Sequence, residues 1–417
     1  MPNKLPANGF SVRKLPKTEN TFRFSQDNSH KQEARFEVFD PATNQVWGFV
    51  TVDNTQRGPG LGGIRMLPDV SLNEVNRLAH VMTLKNSAAC LPYGGGKSGL
   101  KVANQNFYKD RQQKNLLMEK WADALFEIDK YIPAADMGTD EYDVQIIQEN
   151  HTRKLRQKNH HRGGSGRPEE YGGIPLDGWE LTAHGLYAAA LTLEELLEDF
   201  QLNNSKVVIQ GFGNVGGPTA VKLNQKGALV VGASDIHCAL WNPKGLDLDE
   251  LSRIRKQEGG LSNYSQRVER KFDPKNLDWL LEVPCDILVP AARPDAITAK
   301  NIDRIDCRII LQGANTPSSK PVEYYLMHRK KLISLTDFIV NAGGVIGCAV
   351  ERQMTQDKDY SEKVKTHGTR AYTENLIFNT VSKNVREIFN RIKGDFIFRD
   401  AATELALERI NSKEIWL

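Results

Sequence analysis

A glycine pattern in the second half of the chain constrains the fold more than any other feature of the sequence. Gly211-Phe-Gly213-Asn-Val-Gly216 follows the apolar run VVIQ and precedes a stretch with helical spacing. Gly211 permits a tight turn, Gly213 lets the backbone approach a pyrophosphate, and Gly216 allows close packing of a helix on a strand. The pattern predicts a Rossmann-type dinucleotide-binding domain, with cofactor contacts from the turn residues Gly211, Gly213, Asn214, Val215 and Gly216.

An acidic residue at the end of the next apolar run supports this prediction. Asp235 lies 19 residues past Gly216, where such domains hold the ribose 2′-hydroxyl. A carboxylate would accept hydrogen bonds from that hydroxyl and repel a 2′-phosphate, which favours NAD over NADP. His237 and Lys244 lie just beyond Asp235 and could still meet a phosphate, so NADP stays open.

Strand-like apolar runs alternate with helical patterns along the chain, which is typical of an α/β protein with a parallel sheet. Runs that end in small and polar residues recur at CDILVPAA, CRIILQGAN and KLISLTDFIVNAGG. We predict a first α/β domain at 1–180, the dinucleotide-binding domain at 181–345, and a helical tail at 346–417 that packs on the first domain. The Gly-rich segment 57–63 is predicted to be a loop, and LPYGGGKSG a turn that leads into a strand.

Composition and charge argue against several functional classes. The chain has 55 Lys and Arg against 52 Asp and Glu, which is too balanced to indicate nucleic-acid binding. No apolar run reaches the roughly 18 residues of a membrane span, and the first residues lack an apolar signal region. The cysteines are scattered, odd in number and never in a CxxC pair. We therefore expect a cytoplasmic protein with reduced thiols and no zinc site.

A basic, Gly-rich segment at 153–167 has the sequence RKLRQKNHHRGGSGR. A solvated surface loop is the favoured interpretation; an anion or regulator site, a subunit contact or a nucleic-acid contact are the alternatives. His160 and His161 have no further ligands at metal spacing, so we predict no metal site.

Two lysines and one aspartate lie in surroundings that are unusual for charged residues. Lys85 and Lys97 bracket NSAACLPYGGG, and their neighbours are small or apolar. A poorly solvated lysine has a lowered pKa and can act as a base near neutral pH, while a second lysine can stay charged and hold a carboxylate. Asp136, in PAADMGT, is a candidate general acid and base. Each residue alone could be structural, but a dinucleotide domain in the same chain favours catalysis.

The segment GGGKSG is not a phosphate-binding P-loop. That motif needs a glycine five residues before Gly96, and Leu91 occupies the position. Nucleotide hydrolysis is therefore not expected.

Several motifs together resemble the Glu/Leu/Phe/Val amino-acid dehydrogenases. GPGLGGIRM, MTLKN, LPYGGGKSG, ADMGT, QGFGNVGG, QGAN and NAGGV occur in the family's order between about Arg57 and Glu351. The resemblance implies two domains around a cleft, the first binding substrate and mediating oligomerisation, with the C-terminal helices returning to it. It also implies reversible oxidative deamination of an L-amino acid to a 2-oxo acid and ammonia, in a homo-oligomer that is commonly a hexamer.

The resemblance also implies roles for individual residues. Lys85 would bind the substrate α-carboxylate, Lys97 would activate the water that attacks the imine, and Asp136 would move protons to and from the amino group. Thr182, Asn214 and Asn341 match positions that contact the cofactor, and Ala291, Ala292 and Asn315 match the strand ends beside its ribose. The substrate pocket would include Leu61, Gly62, Gly63 and Cys348.

Two departures from the family pattern concern the substrate. The glutamate enzymes have a lysine where this chain has Leu61, and a serine where it has Cys348. Burying a substrate carboxylate against Leu61 would be costly, which favours an apolar side chain. The chain length and the segment SDIHCALWNPKGLD resemble the glutamate branch instead, so glutamate dehydrogenase stays an alternative. A non-catalytic cofactor-sensing or assembly protein is an alternative of another class, against which Lys85, Lys97 and Asp136 argue.

Overall fold

The computed structural model describes residues 5–16, 32–104, 110–157, 162–272, 274–392 and 397–417, without the side chains of 270–276. The strands are β1 (Ser11–Lys14), β2 (Ala34–Phe39), β3 (Val46–Asn54), β4 (Gly60–Leu67), β5 (Gly94–Lys101), β6 (Tyr131–Ala135), β7 (Lys206–Gln210), β8 (Leu229–Ser234), β9 (Ala239–Trp241), β10 (Arg270–Phe272), β11 (Ile287–Pro290), β12 (Ile309–Leu311) and β13 (Ile333–Leu335).

The α-helices are α1 (Leu72–Ala88), α2 (Arg111–Phe126), α3 (Glu141–Leu155), α4 (Leu181–Leu196), α5 (Gly216–Asn224), α6 (Leu248–Ile254), α7 (Lys320–His328), α8 (Asp337–Val340), α9 (Gly343–Gln356), α10 (Lys358–Thr366), α11 (Thr369–Arg391) and α12 (Phe398–Ile410). Among the described residues, no helix combines the length and apolar character that a membrane span needs.

The first compact unit comprises Met1–Trp179, Gly344–Thr373 and Ala406–Leu417. Its sheet has the strand order β1-β2-β3-β5-β4-β6. Strand β4 is parallel to β5 and β6, and the other neighbours are antiparallel. The main core cluster includes Met66, Leu100 and Trp121, all fully buried. This sheet places the Gly-rich strands β4 and β5 side by side, with β6 along the other edge of β4.

The two Gly-rich segments that we predicted as a loop and a turn are largely strand. Residues 60–63 belong to β4 and residues 94–96 to β5. A Cβ on Gly62 would lie 1.8 Å from the carbonyl oxygen of Gly96, and one on Gly94 would lie 1.8 Å from that of Asn54. The prediction was wrong because these glycines permit close approach of neighbouring strands instead of interrupting the sheet.

The second compact unit comprises Glu180–Gly343 and Glu374–Leu405, around a sheet of order β10-β9-β8-β7-β11-β12-β13. Strands β8, β7, β11, β12 and β13 run parallel to one another, whereas β9 and β10 form an antiparallel edge beside β8. The order of connection reverses between β7 and β11, and the carboxyl ends of strands at such a switch point bind ligands. The predicted α/β fold with a Rossmann-type second unit is therefore confirmed.

The C-terminal tail is divided between the units. Residues 374–405 cluster with the second unit, whereas we predicted that 346–417 packs as a whole on the first. The reason lies in Arg399 of α12, whose buried guanidinium donates to Glu323 Oε2 (2.9 Å), Gln312 Oε1 (3.1 Å) and Asp337 Oδ1 (3.1 Å). A buried charge needs such partners, so this part of α12 packs with them. The predicted domain limits of 1–180 and 181–345 stay predictions.

The Arg399 network yields a stability prediction. Arg399→Met would leave two buried carboxylates without their cation, so we expect the free energy of unfolding to fall by about 3–5 kcal/mol. The adjacent Asp400 pairs with Lys320 in a partly exposed position, and Asp400→Asn should cost at most about 1 kcal/mol. Urea unfolding followed by tryptophan fluorescence measures both. Equal losses for the two variants would contradict the assignment.

Candidate functional site

Lys97 and Asp136, which we predicted as catalytic, are in direct contact. Lys97 on β5 extends its Nζ to 2.7 Å from Oδ2 of Asp136, which follows β6. Only 3% of the Lys97 side chain is exposed, against 17% for Asp136. Because β4 separates β5 from β6, the two side chains meet across the Gly-rich middle of that strand.

Arg65 completes the charge cluster, and the sequence analysis gave it no role. Its Nε donates to Oδ2 of Asp136 at 3.1 Å and its Nη1 to Oε1 of Glu74 at 2.7 Å. Ser71 caps α1 by accepting a hydrogen bond from the Glu74 N–H, while the Glu74 carboxylate pairs with Arg65. The signal for Arg65 was present in the motif GLGGIRM: it lies two residues past Gly63 and therefore on the same face of β4.

Burial and the neighbouring charges shift the pKa of both catalytic candidates. Desolvation lowers the pKa of Lys97, and Arg65 lowers it further, against the opposing effect of Asp136. Burial alone would raise the pKa of Asp136, but Lys97 and Arg65 together hold it well below its ordinary range. Asp136 is therefore a stable carboxylate, and Lys97 is an amine that loses its proton more readily than an exposed lysine.

Glycine and tyrosine neighbours fix the geometry of this cluster. A Cβ on Gly63 would lie 2.6 Å from Cβ of Asp136 and 3.2 Å from Nζ of Lys97, so a side chain there would separate the pair. The Tyr131 hydroxyl donates to the carbonyl oxygen of Gly62 at 2.8 Å and contacts Oγ of Ser98 at 3.0 Å. These bonds hold β4 and β5 in register beside Lys97.

The residues predicted to bind substrate lie in the same unit. Lys85 is buried in the last turn of α1, and the adjacent Asn86 donates to the carbonyl oxygens of Leu61 (3.3 Å) and Gly94 (2.6 Å). Leu61 is fully buried and alternates with Gly63 along β4, so it shares the face that carries the charge cluster. The end of α1 is thereby tied to the strands that carry Leu61 and Lys97.

Cys348 on α9 contacts a different segment, which contains Ser165. Its carbonyl accepts a hydrogen bond from Oγ of Ser165 (2.9 Å), and burial raises the pKa of its thiol. Ser165 also donates its N–H to the carbonyl of Pro133 on β6. Glu351, another residue that the sequence analysis missed, accepts hydrogen bonds from the backbone N–H groups of Gly166, Arg167 and Ile174. Helix α9 thus holds the chain segment that runs along β6.

The predicted dinucleotide turn lies at the switch point of the second sheet. Gly211 follows β7 with φ +91°, and a Cβ on it would lie 2.7 Å from Cα of Ala292. A Cβ on Gly213 would meet nothing within 4 Å, so the backbone is open there, at the start of α5. Open backbone beside a helix N-terminus fits a dinucleotide pyrophosphate.

The remaining cofactor candidates surround this turn. A Cβ on Gly313 would lie 2.9 Å from Cβ of Ala291 and 3.4 Å from Cγ1 of Val215. The Asn341 side chain donates to the carbonyl oxygen of Gly313 and to Oδ1 of Asn315, both at 3.2 Å. Thr182 adjoins the same region, because a Cβ on Gly343 would lie 3.0 Å from the Thr182 nitrogen. The switch point therefore gathers residues from four separate sequence motifs.

Asp235 has structural partners that the sequence analysis did not anticipate. Its Oδ1 accepts the N–H groups of His237 (2.7 Å) and Cys238 (2.9 Å), and its Oδ2 accepts that of Leu261 (2.7 Å). The Asp235 carboxylate thus stabilises the turn that follows β8. Its negative charge also bears on the choice between NAD and NADP. Its predicted bond to a ribose hydroxyl stays a prediction.

The basic segment 153–167 begins within α3, and its middle lies outside the described residues, as do His160 and His161. In the described part of the chain, no group of three or more His, Cys, Asp or Glu side chains could hold a metal ion.

Two family models match the chain. Residues 30–153 match the Glu/Leu/Phe/Val dehydrogenase dimerisation domain, and residues 172–415 match Glutamate/Leucine/Phenylalanine/Valine dehydrogenase. A glutamate dehydrogenase of Aeropyrum pernix is 33% identical over 89% of this chain and 86% of its own length. A catabolic NAD-specific glutamate dehydrogenase of Bacillus subtilis is 34% identical over 72% and 68%.

The fold has solved counterparts. The hetero-hexameric glutamate dehydrogenase of Thermus thermophilus, in a leucine-bound form, superposes with a TM-score of 0.76 and covers 96% of this chain and 88% of its own. At 22% identity this likeness concerns the fold alone. The family matches and the sequence relatives show more: the chain belongs to the Glu/Leu/Phe/Val dehydrogenase family and is an NAD(P)-dependent amino-acid dehydrogenase.

Proposed function

We propose that the protein catalyses the reversible oxidative deamination of an L-amino acid with an apolar side chain, using Lys97 and Asp136 as its catalytic residues. The 2.7 Å contact between a desolvated lysine and a carboxylate is the observation that carries this proposal. A surface ion pair would leave both groups with ordinary acid–base properties, whereas desolvation lowers the pKa of the lysine in this pair.

Lys97 acts as the base that activates water. A bound nicotinamide would supply the acceptor for the hydride of the substrate Cα, whose loss leaves an iminium group on the substrate. The neutral amine of Lys97 takes a proton from the water that attacks this carbon. Lys85 holds the α-carboxylate and keeps Cα in place, since buried lysine ammonium groups pair well with carboxylates.

Asp136 moves protons at the substrate nitrogen. It receives a proton from the ammonium group of the incoming amino acid and later returns one to the departing ammonia. Arg65 and Lys97 keep it ionised in the resting enzyme, so it is ready to act as the base in the deamination direction. Arg65 acts as a positioning residue, because its second bond to Glu74 fixes the guanidinium beside Asp136.

Leu61 supports an apolar substrate side chain. It is fully buried and lies on the Lys97 face of β4. A substrate carboxylate placed against it would lose its hydration without gaining a cation, at a cost of several kcal/mol. An aliphatic side chain of the leucine or valine kind has no such cost and gains from burial.

Glutamate is the second candidate, on two observations. The relatives from Aeropyrum pernix and Bacillus subtilis are named glutamate dehydrogenases. In addition, α9 carries the buried arginine Arg352, whose positive charge opposes the rise that burial causes in the pKa of both Cys348 and Tyr93. A cation near Cys348, which we predicted to line the substrate pocket, favours a substrate that carries a second carboxylate.

A panel of 2-oxo acids with ammonia and either NADH or NADPH distinguishes the two candidates. Oxidation of neither coenzyme with any acid would favour a non-catalytic protein instead.

We propose NAD as the preferred coenzyme, a homo-hexamer as the assembly and the cytoplasm as the location. The charge of Asp235 supports NAD. The match of residues 30–153 to a dimerisation domain and the hexameric Thermus thermophilus neighbour support an oligomer. Five free cysteines are typical of a reducing compartment.

Removing either catalytic group should abolish most turnover while NADH still binds. Lys97→Ala eliminates the base and Asp136→Asn the proton carrier, so kcat should fall by about 10²–10⁴-fold in each case. Lys101→Ala, at the end of the same strand and stacked on Phe49, is the matched control and should keep normal turnover. Steady-state rates and NADH fluorescence titration measure both quantities. Near-normal kcat in both catalytic variants would remove the mechanism.

The pH dependence should follow the charge next to Lys97. Arg65 lowers the pKa of both Lys97 and Asp136, which both act in their deprotonated forms. Arg65→Gln should therefore move the acidic limb of kcat/KM to higher pH. Glu74 raises the pKa of Lys97, so Glu74→Gln should move that limb to lower pH. Shifts of the same sign in the two variants would contradict this electrostatic assignment.

Substrate preference should respond to a cation at position 61. Leu61→Lys would give a substrate carboxylate a partner, so we expect kcat/KM to shift from branched-chain 2-oxo acids toward 2-oxoglutarate by at least about tenfold. Leu67→Lys, at the partly buried far end of the same strand, is the control and should not change the ranking. An unchanged ranking in Leu61→Lys would show that this residue does not line the pocket.

A further inference from the structure

An arginine outside the family motifs lies over the glycine turn. Arg255 directly follows α6, and its Nη1 donates to the carbonyl oxygen of Gly213 at 3.0 Å. The neighbouring Gly217 explains how the guanidinium comes so close, because a Cβ there would lie 2.7 Å from Nη1. Gly217 is not part of the GxGxxG pattern, so its lack of a side chain has no role in the turn itself.

The segment that begins with Arg255 is fixed at both ends. At its far end the Leu261 N–H donates to Oδ2 of Asp235 at 2.7 Å. A Cβ on Gly260 would lie 2.1 Å from the same oxygen, so glycine is required for this approach. Residues 255–261 thus connect the glycine turn to the acidic residue that follows β8.

The charges at this place favour an anion. The first N–H groups of α5 and the open backbone at Gly213 form the positive end of a helix. Arg255 adds a full positive charge, and its guanidinium donates a hydrogen bond to a neutral carbonyl. A guanidinium has five N–H donors in a planar fork that matches a phosphate group.

We propose that Arg255 binds a phosphate group of the dinucleotide, an inference that rests on the proposed function. Two phosphate sources are present in such cofactors: the pyrophosphate, which NADH and NADPH share, and the 2′-phosphate, which NADPH alone carries. Arg255 is then a cofactor-binding residue that supplements the glycine turn. The absence of a side chain at Gly217 leaves the room that its guanidinium occupies.

The test compares coenzyme binding by the full-length protein and three variants. Arg255→Gln removes the charge, Arg255→Lys keeps it, and Arg253→Gln removes a mostly exposed arginine next to the same helix end. Dissociation constants for NADH and NADPH are measured by fluorescence without substrate, and adenosine, which has no phosphate, is titrated as a competitor.

We expect Arg255→Gln to weaken coenzyme binding by about 10- to 100-fold, with partial rescue in Arg255→Lys and no change in Arg253→Gln. Equal losses for NADH and NADPH identify the pyrophosphate, and a loss confined to NADPH identifies the 2′-phosphate. Unchanged binding of both coenzymes overturns the proposal, as does an equal loss of adenosine binding, which indicates a distorted turn. Failure of the wild-type protein to bind either coenzyme would instead count against the proposed function.

Discussion

The buried ion cluster of Lys97, Asp136 and Arg65 is the constraint on which the rest of the first unit depends. Charges taken out of water are costly unless they are paired at short range. The strands must therefore approach closely and leave room for three large charged side chains at one place. Glycines in β4 and β5 provide this, since Gly63 faces the cluster itself and Gly62 faces the backbone of β5. The glycines of these motifs thus make room for the charge cluster and are not there to make a loop flexible.

The parts of the molecule that follow from local sequence rules could be predicted. The glycine turn and the strand before it depend on residues close in sequence, and each is present as expected. Lys97 and Asp136 were recognisable because charged residues among small neighbours are rare. Arg65 was missed although it lies two residues past Gly63, because only the pairing of β4 with β6 brings it to Asp136.

Interactions between distant segments explain the other differences. Residues 60–63 were expected to form a loop because glycine is usually unfavourable in strands, and the close neighbours that favour it there are more than 30 residues away. Arg399 and its partners Glu323 and Asp337 are separated by more than 60 residues, so the tail's packing on the second unit has no local signal. The structural hydrogen bonds of Asp235 were missed for a similar reason, because Leu261, which donates its N–H to Asp235, lies 26 residues away in sequence.

The central claim is that Lys97 is a desolvated amine whose pKa is lowered within an ion pair. The most direct measurement is an NMR titration of the Lys97 side-chain carbon in protein labelled with ¹³C-lysine, with the resonance assigned by its absence from a Lys97→Arg variant. The account predicts a pKa clearly below that of the exposed lysines in the same spectrum. A pKa equal to or above theirs would contradict it.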